Sequence, residues 1–160
     1  MRKKIGKLFI RIETGNIECL AYNPETQDYY QMVQKTINNG YRQIICTSSL
    51  MISIIEHYLV YHNAKLSNIA FLQEEDELNN EIREIIRKLR DNGAYWAILK
   101  ERLEFLSKYD SIDIKQVVFK CIEGDGYIID VRVNGLISIS EHMYESASDE
   151  IVGIAKGVLY

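Results

Sequence analysis

Two groups of residues in this 160-residue chain have types and spacing that suit chemistry. Asp113-Ile114-Lys115, with Asp110 just before it and Asp130 on the next strand-like run, fits a pattern in which carboxylates hold Mg²⁺ and a lysine steadies the attacking water. Matches of three residues are common by chance. The simpler reading makes Asp113 a strand-entry residue and Asp130 the cross-strand partner of an exposed neighbour. His57 and His62 offer imidazoles, but a five-residue step on one helix puts them on different faces, and no cysteine supplies a neighbouring ligand. His142 stands alone, so hydrogen-bonded or exposed imidazoles are expected for all three, with no metal and no cofactor. The chain contains no G-x-G-x-x-G, Walker loop, G-x-S-x-G or usefully spaced Cys-His pair. These absences count against nucleotide binding and covalent catalysis, and no catalytic residue is assigned.

The elements that would position such groups are bounded by composition. Hydrophobic residues make up 47% of the chain, enough for a sizeable core, and one proline with nine glycines leaves no obvious flexible linker. "MRKKIGKLFI" carries positive charge without a long apolar stretch, and no run is long enough to cross a bilayer, so an unprocessed, non-membrane, cytoplasmic protein is expected. Cys19, Cys46 and Cys121 are odd in number and lie among apolar neighbours, as buried free thiols do in reducing compartments. Net charge is −4, and Tyr95 to Tyr160 holds seven Lys/Arg against eleven Asp/Glu, which accounts for all of it. An acidic half is poorly matched to a phosphate backbone.

Periodicity then sets the order of elements. "KLFIRIETGNIECLAYN" alternates about a turn at Thr14-Gly15-Asn16, which predicts a hairpin. Asn23-Pro24 offers a helix start, and Tyr29, Met32, Val33, Thr36 and Ile37 continue it to Asn39-Gly40. "YRQIICT" reads as a short strand, Ser48 or Ser49 as the cap of a helix through Tyr61, and "LSNIAFL" as another strand, together a crossover unit on a small mixed sheet. Leu78, Ile82, Ile85, Ile86 and Leu89 define a helix from Glu74 to Asp91-Asn92-Gly93, with acids in its first turn and bases in its last. A helix over "AYWAILKERLEFLSKY" follows, then three strands turning at Gly124-Asp125-Gly126 and Asn134-Gly135, and a last helix from about Ser146. The expected class is α+β: an N-terminal α/β unit (1–73), a connecting helix (74–93), and an α-β-β-β-α unit (94–160) packed on the first. Tyr22, Tyr29, Tyr30, Tyr41, Tyr58 and Tyr61 crowd the N-terminal half, suiting core-edge packing or, alternatively, an interface or base-stacking surface.

In its last 65 or so residues the chain resembles the double-stranded RNA-binding domain. Tyr127, Ile129, Val131, Val133 and Gly135 fall in that family's aromatic-x-V-x-V-x-V-x-G register. Ser146, Ala155 and Leu159 match its last helix, and Leu99-Lys100-Glu101 matches the L-x-E of its first. The resemblance implies that fold and, from Glu101, a contact in an RNA minor groove. It also exposes departures. Ala147 and Ser148 stand where the family grips phosphate with lysines, Asp149 and Glu150 follow, and the G-P-x-H loop is missing. The expected function is therefore non-catalytic contact with another protein or a second copy, through Tyr127, Ile129, Ile137, Ile139 and Tyr160. The alternative is binding of structured RNA by Glu101, Lys156, Arg2, Lys3 and Lys4. A further alternative is a metal-dependent nuclease. "ERLEFLSKY" looks like the opening of the ribonuclease III signature, but Ser107-Lys108 replaces its Gly-Asp, and Glu101 and Glu104 are more simply the solvated side of a helix.

Overall fold

Alternation of apolar and polar residues decides how the sheet faces in this computed structural model, which describes residues 2–159. The strands are β1 (Lys3–Arg11), β2 (Ile17–Tyr22), β3 (Tyr41–Gln43), β4 (Lys65–Phe71), β5 (Ile114–Cys121), β6 (Tyr127–Arg132) and β7 (Leu136–Ser140). The helices are α1 (Tyr29–Asn38), α2 (Ser48–Tyr61), α3 (Asp76–Asp91), α4 (Tyr95–Tyr109) and α5 (Tyr144–Leu159), the last entered through a single 3₁₀ turn, Glu141–Met143. The class is α+β. Among the described residues, no helix is long and apolar enough to cross a membrane.

All seven strands join one sheet in the order β2-β1-β7-β6-β5-β4, with β3 pairing the C-terminal half of β1. Every pairing is antiparallel. The expected mixed sheet and crossover unit are therefore corrected: β3 pairs with β1 and β4 with β5, both antiparallel, and the two do not pair with each other. The expected layout of two packed units is replaced as well. Lys3–Lys7 of β1 pair with Leu136–Ser140 of β7, and β4 pairs with β5, so N-terminal strands border the C-terminal meander on both sides.

One face carries Leu8, Leu66, Ile69, Val117, Phe119, Ile129, Val131, Ile137 and Ile139 under α2, α3, α4 and α5 in a single core. Each such side chain, once removed from water, contributes roughly 1.5–3 kcal/mol. The opposite face is covered only at the β1–β2–β3 end, where α1 lays Met32 and Val33 on Phe9 and Tyr41. Lys7 points to this side and is fully buried there. Its ammonium donates to the Asn134 carbonyl and lies 5.5 Å from the Tyr29 ring centre. Burial lowers its pKa, opposed by the nearby Cys46 sulfur.

Local chemistry explains the element ends. Asp28 caps α1 by accepting from the Gln31 amide, while Asn23 instead closes the preceding turn. Thr47, one residue before the expected serines, caps α2. The β6–β7 hairpin closes through Gly135, whose N–H donates to the Arg132 carbonyl and whose φ is +85°. A Cβ there would sit 2.7 Å from the Ile44 carbonyl oxygen. Gly135→Ala is expected to destabilise the fold by about 2–4 kcal/mol, from left-handed strain plus overpacking, read as a lower urea midpoint.

Candidate functional site

At the end of α2 the apolar stripe gives way to polar side chains. His57 lies on the last full turn, beside Tyr61, with ring centres 4.9 Å apart. The helix stops at His62, whose φ of −121° and ψ of 5° leave the α region, and Asn63 follows at φ 50°. The His62 ring, one turn beyond Tyr58, stacks on the Tyr58 ring at 4.8 Å. Glu150, on α5, faces the same spot because α5 packs along α2. Both imidazole Nε2 atoms meet Glu150 Oε1, the His62 contact at 2.5 Å. The Tyr58 hydroxyl donates to Glu150 Oε2 at 3.2 Å. On its far side His62 Nδ1 lies 2.6 Å from Glu123 Oε1, which also accepts from the Tyr127 hydroxyl at 3.2 Å.

The side chains of His57, His62 and Glu150 are 27%, 22% and 26% exposed. Burial works against charge on the His62 ring, but hydrogen bonds to Glu150 and Glu123 and their negative charge outweigh it and raise its pKa. Burial likewise disfavours the Glu150 carboxylate, and bonds from His62 and His57 more than compensate, lowering its pKa. One ligand atom from each of the three lies within 4.8 Å of the others, close enough for one metal ion to be held between them. The two histidines, expected on different faces of one helix, nonetheless meet the same carboxylate oxygen. Glu150 reaches both rings from α5, so a shared face on α2 is not needed. The helix-ending signal available in the sequence was His62-Asn63, a helix stop rather than a helix position. His142 stays apart, edge-on to Tyr127 at 6.5 Å.

Sequence-predicted residues fall elsewhere. Tyr127, Ile129, Ile137 and Ile139 are at most 2% exposed, inside the core of the single chain. They occupy the helix-covered face of their strands, while Ile128, Asp130 and Ser138 occupy the other. Tyr160 lies outside the described residues. Arg2, Lys3 and Lys4 do gather along one cleft of about 580 Å³, but Glu25 and Glu141 line it too, and Lys4 lies 3.7 Å from Glu145. Glu101 and Lys156 are exposed, on α4 and α5, and neither lines that cleft. Ala147 and Ser148 are buried against the core.

The nuclease-like acids are not brought together. Asp113 accepts from Ser48 at 2.9 Å and Ser107 at 2.7 Å on the helical side, whereas Asp130 accepts from Gln116 on the opposite face. Asp110 caps the end of α4, and Lys115 is exposed. Burial pushes the Cys46 thiol up to about 12 and the Cys121 thiol to about 11, so neither is poised as a nucleophile.

A second feature escaped sequence reading. While Leu99, Leu103 and Leu106 of α4 are buried, Ile98, Phe105 and Tyr109 face outward, 53%, 46% and 64% exposed. With Arg102 they form a stripe at 4-3-4 spacing, the Phe105 and Tyr109 rings 5.0 Å apart. Comparison with family models, with curated proteins and with solved structures returns no match.

The histidine network makes stability depend on pH with a definite sign. A raised His62 pKa stabilises the fold fully below its unfolded value of about 6.5, and the effect is lost as pH rises through the folded pKa. The lowered Glu150 pKa contributes above about 4.3 and is lost as pH falls through its folded value. In chelator-treated buffer, His62→Ala is expected to lower Tm by about 3–6 °C near pH 5.5 and by clearly less near pH 9. Equal losses at both pH values would contradict this assignment.

Proposed function

We propose that the protein is a non-catalytic interaction protein, and that the contact it makes first is with a second copy of itself through the outward face of α4. The observation that carries this reading is the exposed stripe Ile98, Arg102, Phe105, Tyr109. Its 4-3-4 spacing is that of a coiled-coil seam. An antiparallel pairing of two α4 helices about a two-fold axis near Glu104 and Phe105 sets Glu101 of each copy against Lys108 of the other. The stripe is then self-complementary in charge as well as apolar, as an isologous interface requires. Arg102, held 2.8 Å from Glu81 of α3, sits 6.0 Å from the Phe105 ring and forms part of the same surface. A seam of three turns is short, so a weak dimer is expected.

The family likeness of the C-terminal segment is kept as a proposal on the register of Tyr127 to Gly135, with a scaffold turned from RNA to protein contact. What favours protein over RNA is charge. The basic cleft shares its walls with Glu25 and Glu141, and the positions where the family would grip phosphate carry Ala147 and Ser148, both buried, followed by Asp149 and Glu150.

Two measurements test the reading. Sedimentation equilibrium is expected to show a mass rising with concentration toward twice 18.6 kDa. Phe105→Ala should weaken the dimer at least about 30-fold without changing circular dichroism, and a wild type that stays monomeric at the highest concentrations overturns the proposal. Titration with duplex RNA at low salt is expected to give no shift, and a steeply salt-dependent complex would favour the RNA alternative.

A further inference from the structure

We propose that His57, His62 and Glu150 bind one divalent transition-metal ion of the zinc class, with at least one coordination position left to solvent. This goes beyond the proposed dimer contact and does not depend on it.

The first reason is convergence. Both Nε2 atoms point at one oxygen, Glu150 Oε1, and the three ligand atoms lie within 4.8 Å of each other. Metal–ligand bonds of about 2.0–2.2 Å bring such atoms to roughly 3 Å apart, within reach of small side-chain rotations here. The second reason is orientation. His62 Nδ1 is 2.6 Å from Glu123 Oε1, so a neutral ring with its proton on Nδ1 donates to Glu123 and presents a bare Nε2 lone pair to the ion. The Tyr58 hydroxyl occupies Glu150 Oε2 and leaves Oε1 for the metal. Proton-only pairing places hydrogen on both Nε2 atoms and both nitrogens of His62. An ion satisfies the same contacts with neutral rings and cancels the charge of Glu150 and Glu123.

Two imidazoles and a carboxylate suit zinc and its first-row neighbours, while Mg²⁺ and Ca²⁺ prefer all-oxygen shells. With each ligand about one quarter exposed, solvent reaches the cluster and water fills the remaining position. The ion joins α2 to α5 and, through Glu123, to the β5–β6 turn.

The test uses full-length protein stripped with chelator and dialysed. Calorimetric titration with ZnCl₂ near pH 7.5 is expected to show one ion per chain. CoCl₂ is expected to give the intense visible absorption of an inner-sphere nitrogen-ligated site. His62→Ala and Glu150→Gln should each abolish this binding, Glu123→Gln should weaken it about 10-fold, and His142→Ala should leave it unchanged. Affinity should fall as pH is lowered toward 6, because protons compete for the imidazoles. Circular dichroism on each variant confirms folding, and the wild-type titration stands even if a variant fails to fold. Absence of stoichiometric Zn²⁺ uptake by the wild type overturns the proposal. So does uptake that survives His62→Ala and Glu150→Gln in folded protein.

Discussion

Helix α2 carries an apolar stripe too wide for any one neighbour to cover. Leu50, Met51, Ile52, Ile54, Ile55 and Tyr58 are all buried, and leaving any of them in water would forfeit roughly 1.5–3 kcal/mol. The helix therefore lies between the sheet, touching β4 and β5, and two flanking helices, α4 and α5. The rest of the helical layer follows. α3 is strongly amphipathic, with Leu78, Ile82, Ile86 and Leu89 buried, and it fills the β4 end beside α4. The apolar cover ends only at the last turn of α2, and polar groups from three elements collect there. The histidine cluster is thus a product of packing α2: the need to shield Tyr58 brings α5, and Glu150 with it, against His57 and His62.

Period and punctuation made most elements legible. The α3 stripe, its acidic first turn and its basic last turn gave both the helix and its ends, and Thr14-Gly15-Asn16 and Asn134-Gly135 marked two hairpins. Strand partnership was not legible. Nothing local distinguishes a β1 that pairs with β7 from one confined to an N-terminal sheet, because that pairing joins Lys3–Lys7 to residues more than 120 positions away. Alternation showed that Tyr127, Ile129, Ile137 and Ile139 share one face, but only the placement of the helices decides whether that face is core or surface. Hydrophobic residues of a two-faced strand are as consistent with an interface as with an interior.

The candidate site was hidden for a different reason. A spacing rule relates residues of one element, and the carboxylate that meets both rings comes from α5. Glu150 looked like a repulsive acid at a helix start, since α5 was expected to begin near Ser146. It begins at Tyr144, so Glu150 is its seventh residue, and its side chain meets His57 and His62. The outward stripe on α4 was masked by the inward one. Leu99, Leu103 and Leu106 suffice to make α4 amphipathic, and Ile98, Phe105 and Tyr109 carry no sequence signal that separates an outward set from the core.

The bond between the first and the penultimate elements has a consequence for biogenesis. As the chain leaves the ribosome, β1 and β2 can form their hairpin at once, yet the other edge of β1 stays bare until Ser140 has emerged. Only the short β3 shields part of that edge in the meantime. The β1–β7 pairing therefore forms only after more than 120 further residues have been made. Until then the nascent polypeptide offers a strand edge that a neighbouring chain could extend.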